Sequence, residues 1–219
     1  MILVRIICII IGYAFGLFQT GYIIGKKNNI DIREHGSGNV GMTNALRTLG
    51  LRAGALTLAG DAAKAIASII VVWCIFHSDY PQCVNMLELY AGIGAVLGHN
   101  FPFYLKFKGG KGIACTLGVI IAFSPKMVPV CMVLFFLALI ITKYVSLGSI
   151  LILIGFFAQV IIFGSVNLIG IEKEFLLETY IVAALFMILG IIRHKENIKR
   201  IFNKTERKFG ESENSHKEG

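Results

Sequence analysis

The sequence predicts an all-α integral membrane protein, a polytopic bundle of seven transmembrane helices with the N-terminus outside and the C-terminus in the cytoplasm. Three observations predict it. Of the 219 residues, 56% are hydrophobic and only 16% charged, and the mean hydropathy of +0.74 lies far above that of a soluble globular domain. The apolar residues fall in runs, several of them near the ~20 residues that a bilayer core requires. The basic residues gather at the ends of those runs, on alternate connections. A net charge of +8 would by itself allow nucleic-acid binding. No aromatic-studded strand or basic recognition helix carries the charge, so nucleic acid is excluded as a partner, and membrane lipid and anionic substrates fit better. The five cysteines, Cys8, Cys74, Cys83, Cys115 and Cys131, are scattered without metal-ligand spacing and read as packing residues. No compact His/Asp/Glu cluster is present, so neither a metal nor a cofactor is expected.

In chain order, residues 2–24 form the first span. Arg5 and the apolar run imitate a signal peptide, but no small-residue cleavage site follows and Lys26 and Lys27 stop the run, so it is expected to be retained. Residues 53–76 form the second, with Asp61 and Lys64 spaced i, i+3 on one face as a structural ion pair. A polar hinge, 77–86, contains no basic residue, and 87–105 is the third span. Residues 113–123 are short for a crossing and Ser124-Pro125-Lys126 breaks them from 127–142. Two crossings and one re-entrant hairpin both fit that pair. Lys143 to Ser149 marks a turn, 150–163 a further span, 164–176 a mildly charged loop and 178–192 the last span. Facing 26–52, 106–112, Lys143 and everything after Ile192 inward puts 17 of the 21 Lys and Arg on one side, which sets the orientation. A five-crossing count with 113–142 re-entrant satisfies the same bias. The tail from Arg193 to Lys208 places Ile198, Ile201 and Phe202 on one face as an interfacial helix. Residues 1–209 read as one domain and 210–219 as a polar, disordered end.

Three stretches hold the chemistry. Arg33 to Arg47 contains Gly36, Gly38 and Gly41, the neutral donors Ser37, Asn39, Thr43 and Asn44, and the planar cation of Arg47, an inventory that suits a phosphate. Its glycines also spell G-x-G-x-x-G, but no strand precedes them and Asp61 falls inside a membrane run, so a dinucleotide fold is rejected. A Gly-rich connector between two helices remains open on this stretch alone. The second cluster, Lys106-Phe107-Lys108-Gly109-Gly110-Lys111-Gly112, has Gly112 where a nucleotide P-loop needs Ser or Thr. It still combines glycines, the point charge of Lys111 and a following helix N-terminus. Lys108 reads better as an inside-facing stop charge. The third is His194 and Asn197, spaced i, i+3 at the membrane exit.

The pieces GSGNVGMTNALRTLG, GHNFPFYLKFKGGKGIA and RHKENIKRIFNKTE resemble the three signature motifs of the bacterial acyl-phosphate:glycerol-3-phosphate acyltransferase family, PlsY, in the same order. DAAK and KYVSLGS resemble that family too, and the likeness runs from about Met1 to Glu206. Met42, Ala65, Lys195 and Lys204 depart from its pattern, each beside a proposed contact rather than at one. The resemblance implies a multi-pass enzyme of the bacterial inner membrane, its active site cytoplasmic. Such an enzyme moves a fatty acyl group from acyl phosphate to the 1-hydroxyl of glycerol 3-phosphate, giving lysophosphatidate and phosphate. It implies catalytic importance for Ser37, Arg47, Lys111, His194 and Asn197, and substrate binding by Gly38, Asn39, Thr43, Asn44, Lys106, Gly109, Gly110 and Gly112. Within that set Arg47 and Lys111 are expected to clamp phosphates, Ser37 to line a phosphate pocket, Asn197 to donate toward the carbonyl oxygen and His194 to orient or bind an anion. Glu206 matches a position the family uses structurally. The family uses neither acyl-CoA nor acyl carrier protein as donor, has no covalent intermediate and lets a substrate phosphate take the hydroxyl proton; the acyl-phosphate-producing enzyme is an implied partner. None of the five histidines has Asp five positions on, so the His-x4-Asp signature of thioester-dependent acyltransferases is absent. The rival is an organic-phosphate transporter. Against it, the basic clusters lie at one surface rather than the midplane and no inverted repeat is visible.

Overall fold

The computed structural model describes residues 1–210, so the expected disordered end lies, beyond Gly210, outside the described residues. These form helices without a strand among them. In order they are α1 (Ile2–Gly16), α2 (Thr20–Lys27), α3 (Met42–Leu49), α4 (Leu51–Phe76), α5 (Val84–Asn100), α6 (Ile113–Phe123), α7 (Val128–Thr142), α8 (Val145–Ser165), α9 (Lys173–Arg193) and α10 (Lys195–Phe202). Five segments among the described residues are long and apolar enough to cross a membrane: Ile2–Lys27, Leu51–Phe76, Pro125–Thr142, Val145–Ser165 and Lys173–Arg193.

Several boundaries differ from the sequence reading for identifiable reasons. The first span is not one helix. It breaks between Gly16 and Thr20, where Gln19 is fully buried and its amide donates to the carbonyls of Gly16, Gly98 and His99, while the Phe18 carbonyl accepts from Lys64. Those bonds satisfy the backbone that the break frees, as irregular backbone at membrane depth requires. The turn at 143–149 shrinks to Lys143 and Tyr144: α7 ends with Lys143 left-handed at φ 60 and α8 starts at Val145. The third span ends at Asn100 instead of 105, and the loop before α9 ends at Glu172.

Packing starts from small residues. On α1, Gly12 and Gly16 face the Ala91 and Ala95 carbonyls of α5, and on α5, Gly94 and Gly98 face the Ile9 and Tyr13 carbonyls of α1. This reciprocal close approach of two backbones is how helices associate where no hydrophobic gain separates helix from lipid. Phe156 of α8 stands edge-on to Phe123 at 6.4 Å and to Phe186 at 5.7 Å, joining α8, α6 and α9 in the core. α6 packs chiefly on α4 and α5, whereas α7 packs chiefly on α8. Residues 113–142 are therefore not a hairpin whose arms lie on each other. At one end of the bundle Arg5 pairs with Glu178, which also accepts from Tyr90 at 2.6 Å. The opposite end gathers the loops after α2, α5 and α9.

Candidate functional site

The first loop is shaped by one side chain. Asn44, 2% exposed, accepts the Ser37 N–H at 2.8 Å and donates to the carbonyls of Ile32 (3.1 Å), His35 (3.0 Å) and Asn39 (2.8 Å). Gly36 and Gly38 take left-handed φ of 59 and 69, and a side chain at Gly36 would strike the Asn44 amide. Ser37 and Gly38 are thereby held exposed at the crest of the loop. Upstream, the Arg33 guanidinium grips Asp31 at 2.9 and 2.6 Å and lies over the Tyr22 ring. That grip pulls the Asp31 carboxyl down to about 2.

The second loop is wedged between α5 and α9. The Gly109 N–H donates to the Asn100 carbonyl at 3.2 Å and the Gly110 N–H to the His99 carbonyl at 3.1 Å. From the other side Arg193 donates to the Gly110 carbonyl at 2.8 and 3.2 Å and to the Gly109 carbonyl at 3.3 Å. Its guanidinium also lies over the Phe101 ring, 5.2 Å from the centroid. The N–H groups of both glycines, expected to bind substrate, are thus engaged by the end of α5, and their missing side chains admit the close approach of His99. Lys106 and Phe107 are both left-handed, at φ 54 and 60, which tips their exposed side chains outward. Gly112, at φ 82, opens α6 without a side-chain cap.

The third piece joins the second directly. Lys111 Nζ donates to Asn197 Oδ1, and Asn197 Nδ2 donates to Glu206 Oε1 at 2.6 Å. Glu206 also accepts from Ser146 at 2.6 Å and from Arg200 at 2.8 Å. Burial alone would raise the Glu206 carboxyl, but these donors outweigh it and hold it below the ordinary value. Burial pushes the Lys111 ammonium down to about 8, against the pull of Glu206 and with help from Arg200, Arg193 and Arg47. His194 is buried, and its Nδ1 lies 2.8 Å from the Gly190 carbonyl, which can only accept. The proton therefore sits on Nδ1, leaving the Nε2 lone pair. Burial, then the Lys111 charge, push this imidazole down to about 4.

A cleft of about 440 Å³ is shared by the loops, lined by Arg33, Ser37, Gly38 and Asn39 on one side and by Phe107, Lys108, Gly109 and Arg193 on the other. Lys111, His194 and Asn197 form an adjoining cluster behind Arg193, and Arg47 acts electrostatically on Lys111. Gly110 and Gly112 do not line the cleft; they flank Lys111 in the chain and pack against His99 and against Val96 and Asn100. Thr43 and Lys106 do not line the cleft, and Asn44 is committed within its own loop. Sequence reasoning passed over Arg33 and Arg193, the latter read as a charge ending a span. The signal available was adjacency: Arg33 stands two residues from Asp31, and Arg193 immediately before His194. Together the loops offer hydroxyl, amide and cationic donors to phosphorylated ligands at a membrane surface.

A family model described as glycerol-3-phosphate acyltransferase matches residues 6–204. Among curated relatives, the glycerol-3-phosphate acyltransferase of Bacillus subtilis (strain 168) is 42% identical over 203 residues, covering 91% of this chain and 95% of that one. That of Clostridioides difficile (strain 630) is 39% identical over 217 residues, covering 94% and 96%. Two crystal structures of PlsY, an integral membrane glycerol 3-phosphate acyltransferase, are similar. The glycerol 3-phosphate form has TM-score 0.80 and 32% identity over 94% of this chain and 96% of that one. The lysophosphatidic acid form has TM-score 0.79 and 31% identity over 94% and 95%.

Proposed function

The chain belongs to the glycerol-3-phosphate acyltransferase family, integral membrane enzymes that acylate glycerol 3-phosphate, and from that premise we propose that its acyl donor is acyl phosphate and that the loops after α2, α5 and α9 form its active site. The observation that carries the reading is the Lys111–Asn197 bond, which joins the second and third signature stretches beside the cleft rimmed by the first. The acceptor hydroxyl oxygen attacks the acyl carbonyl carbon, the bond from that carbon to the phosphate oxygen breaks, and the product is lysophosphatidate, as in the form in which a relative has been captured. Acyl phosphate is a mixed anhydride whose phosphate leaves readily, so orientation and charge stabilisation suffice without a covalent enzyme intermediate. A phosphate oxygen of the bound substrates takes the hydroxyl proton, because a histidine at about 4 is a weak base at neutral pH.

Arg47 and Lys111 hold the phosphates, with Lys106 at the rim. Ser37, Gly38 and Asn39 line one phosphate pocket, with Asn44 shaping it and Thr43 at the start of α3 beside it. Gly109 lines the cleft in which glycerol 3-phosphate lies, Gly110, packed on His99, holds that stretch of backbone in place, and the free N–H groups that Gly112 opens at α6 supply donors. Asn197, braced by Lys111 and Glu206, keeps one amide hydrogen for the carbonyl oxygen, and His194 accepts through Nε2 to orient the acceptor. Residues 1–209 act as one domain of seven crossings in the bacterial inner membrane, the site facing the cytoplasm next to the source of acyl phosphate.

The test is direct. Purified protein in detergent is given glycerol 3-phosphate with palmitoyl phosphate, palmitoyl-CoA or palmitoyl acyl carrier protein. Lysophosphatidate is expected with palmitoyl phosphate alone, and not from Arg47→Ala. Product from either thioester overturns the donor assignment, and acyl transfer without a sealed compartment excludes a pure transporter.

A further inference from the structure

Beneath the second loop lies a buried chain of polar side chains that the chemistry above does not use. Lys64 of α4 is 4% exposed at its side chain and Asp61 1%. An ammonium has three hydrogens and no acceptor. All three of Lys64 are spoken for, by Asp61 Oδ1 at 2.8 Å, by the Phe18 carbonyl at the α1–α2 break and by His99 Nδ1 at 2.9 Å. Thr20 donates to the same Asp61 oxygen at 3.1 Å. Since Lys64 can only donate, His99 must accept at Nδ1. The ring is therefore neutral with its hydrogen on Nε2, and Nε2 occupies the place a Gly110 side chain would take.

A simple ion pair between α4 positions would need no histidine from α5. The geometry points to Asp61, Lys64 and His99 as a positioning relay for the 109–112 loop, a role that deepens the reading above: it sets the ring on which Gly110 rests and so the affinity for glycerol 3-phosphate. The connection is continuous. The His99 carbonyl accepts from Gly110, the His99 ring backs the Gly110 Cα, and Arg193 presses the same peptide from the opposite side. None of the three relay side chains lines the cleft, so they act through the loop rather than on the substrate.

Two variants attack the two ends. His99→Asn leaves an acceptor for Lys64 but removes the ring edge under Gly110. Asp61→Asn with Lys64→Met removes both charges together, leaving no unpaired ion but giving His99 Nδ1 no donor. For each, KM for both substrates, kcat and the thermal midpoint in detergent are measured. His99→Asn is expected to keep a thermal midpoint near that of the parent, while the charge-free pair, which also strips the Phe18 carbonyl of its donor, is expected to lower it. In both, KM for glycerol 3-phosphate should rise about tenfold, the size of one lost hydrogen bond, with KM for acyl phosphate nearly constant. A folded charge-free pair with parental KM values makes Asp61 and Lys64 a structural ion pair only and overturns the relay. Should that pair fail to fold, His99→Asn decides alone, and a parental KM overturns the proposal. Lys111→Ala, run alongside, reports which substrate the loop holds. If it moves only KM for acyl phosphate, the substrate assignment above fails, while the relay stands or falls on whether His99→Asn moves that same constant.

Discussion

Lys111 is a cation kept where a cation is costly, and that cost makes its charge adjustable by substrate. With the ammonium pushed down to about 8, the free enzyme carries the proton below that pH and loses it above. An arriving phosphate favours the charged form and raises the value again. So kcat/KM for glycerol 3-phosphate, which reports the free enzyme, should fall above about pH 8, while the matching limb in kcat moves to higher pH. Lys111→Arg should remove that limb across the same range, since a guanidinium stays charged, at some loss of fit. His194 gives the opposite expectation. A group at about 4 is already neutral at pH 6, so no acid limb near 6.5 belongs to it. His194→Gln should lower affinity and leave the profile between neutrality and pH 6 unchanged in shape; loss of a limb there would make His194 the general base in place of a substrate phosphate.

Among the elements, α1 and α5 depend on each other most closely. Gly12-Tyr13-Ala14-Phe15-Gly16 and Gly94-Ala95-Val96-Leu97-Gly98 are both small-x-x-x-small stretches, and each meets the other's backbone. At Gly98 a Cβ would meet the Tyr13 carbonyl and the Gly16 backbone, which cannot rotate away. Gly98→Val should lower stability by about 1–3 kcal/mol, the usual cost of overpacking, seen as a lower thermal midpoint in detergent. It should lower activity further, because His99 and the second loop ride on the end of α5. Ile140→Val, on a side chain 74% exposed, should change neither. These glycine spacings stood in the sequence but were hidden inside spans read for length alone. Span length is a property of the bilayer, so apolar runs were legible, and α6 falls at 113–123 as read. The break at Leu17-Phe18-Gln19 was not legible, because the partners that satisfy it, Lys64 and the carbonyls of Gly98 and His99, lie far along the chain. Likewise Ser146, Gly148 and Ser149 look like turn residues. In α8 Gly148 instead admits Phe135, Ser149 bonds back to the Val145 carbonyl at 2.9 Å and Ser146 holds Glu206. The site was legible as three separate stretches rich in glycine, cations or amides. Its inward engagement was not: the partners of Gly109, Gly110 and Asn197 come from α5, α9 and the tail.

For the whole molecule, the open quantity is how the bundle sits in its membrane. The proposed orientation rests on charge and would put the loops after α2, α5 and α9 in the cytoplasm, and the packing of α6 and α7 on different neighbours favours two separate crossings over one re-entrant dip. α6, with 11 residues, reaches only about 16 Å at the helical rise, less than a hydrocarbon core. One of the two connections at its ends must then lie below the surface; if it is the second loop, the backbone proposed to hold phosphate comes to the level of acyl carbonyls. Single cysteines in a variant lacking the native five test this geometry with a membrane-impermeant maleimide. Asp79→Cys and Lys126→Cys sit at exposed positions between spans, and Lys199→Cys on the exposed side of α10. Seven crossings with the site inside predict labelling of positions 79 and 126 in intact cells, and of 199 only after permeabilisation. A re-entrant 113–142 would leave 126 protected while 79 still reacts. Labelling of 199 in intact cells would invert the orientation and move the site away from a cytoplasmic supply of acyl phosphate.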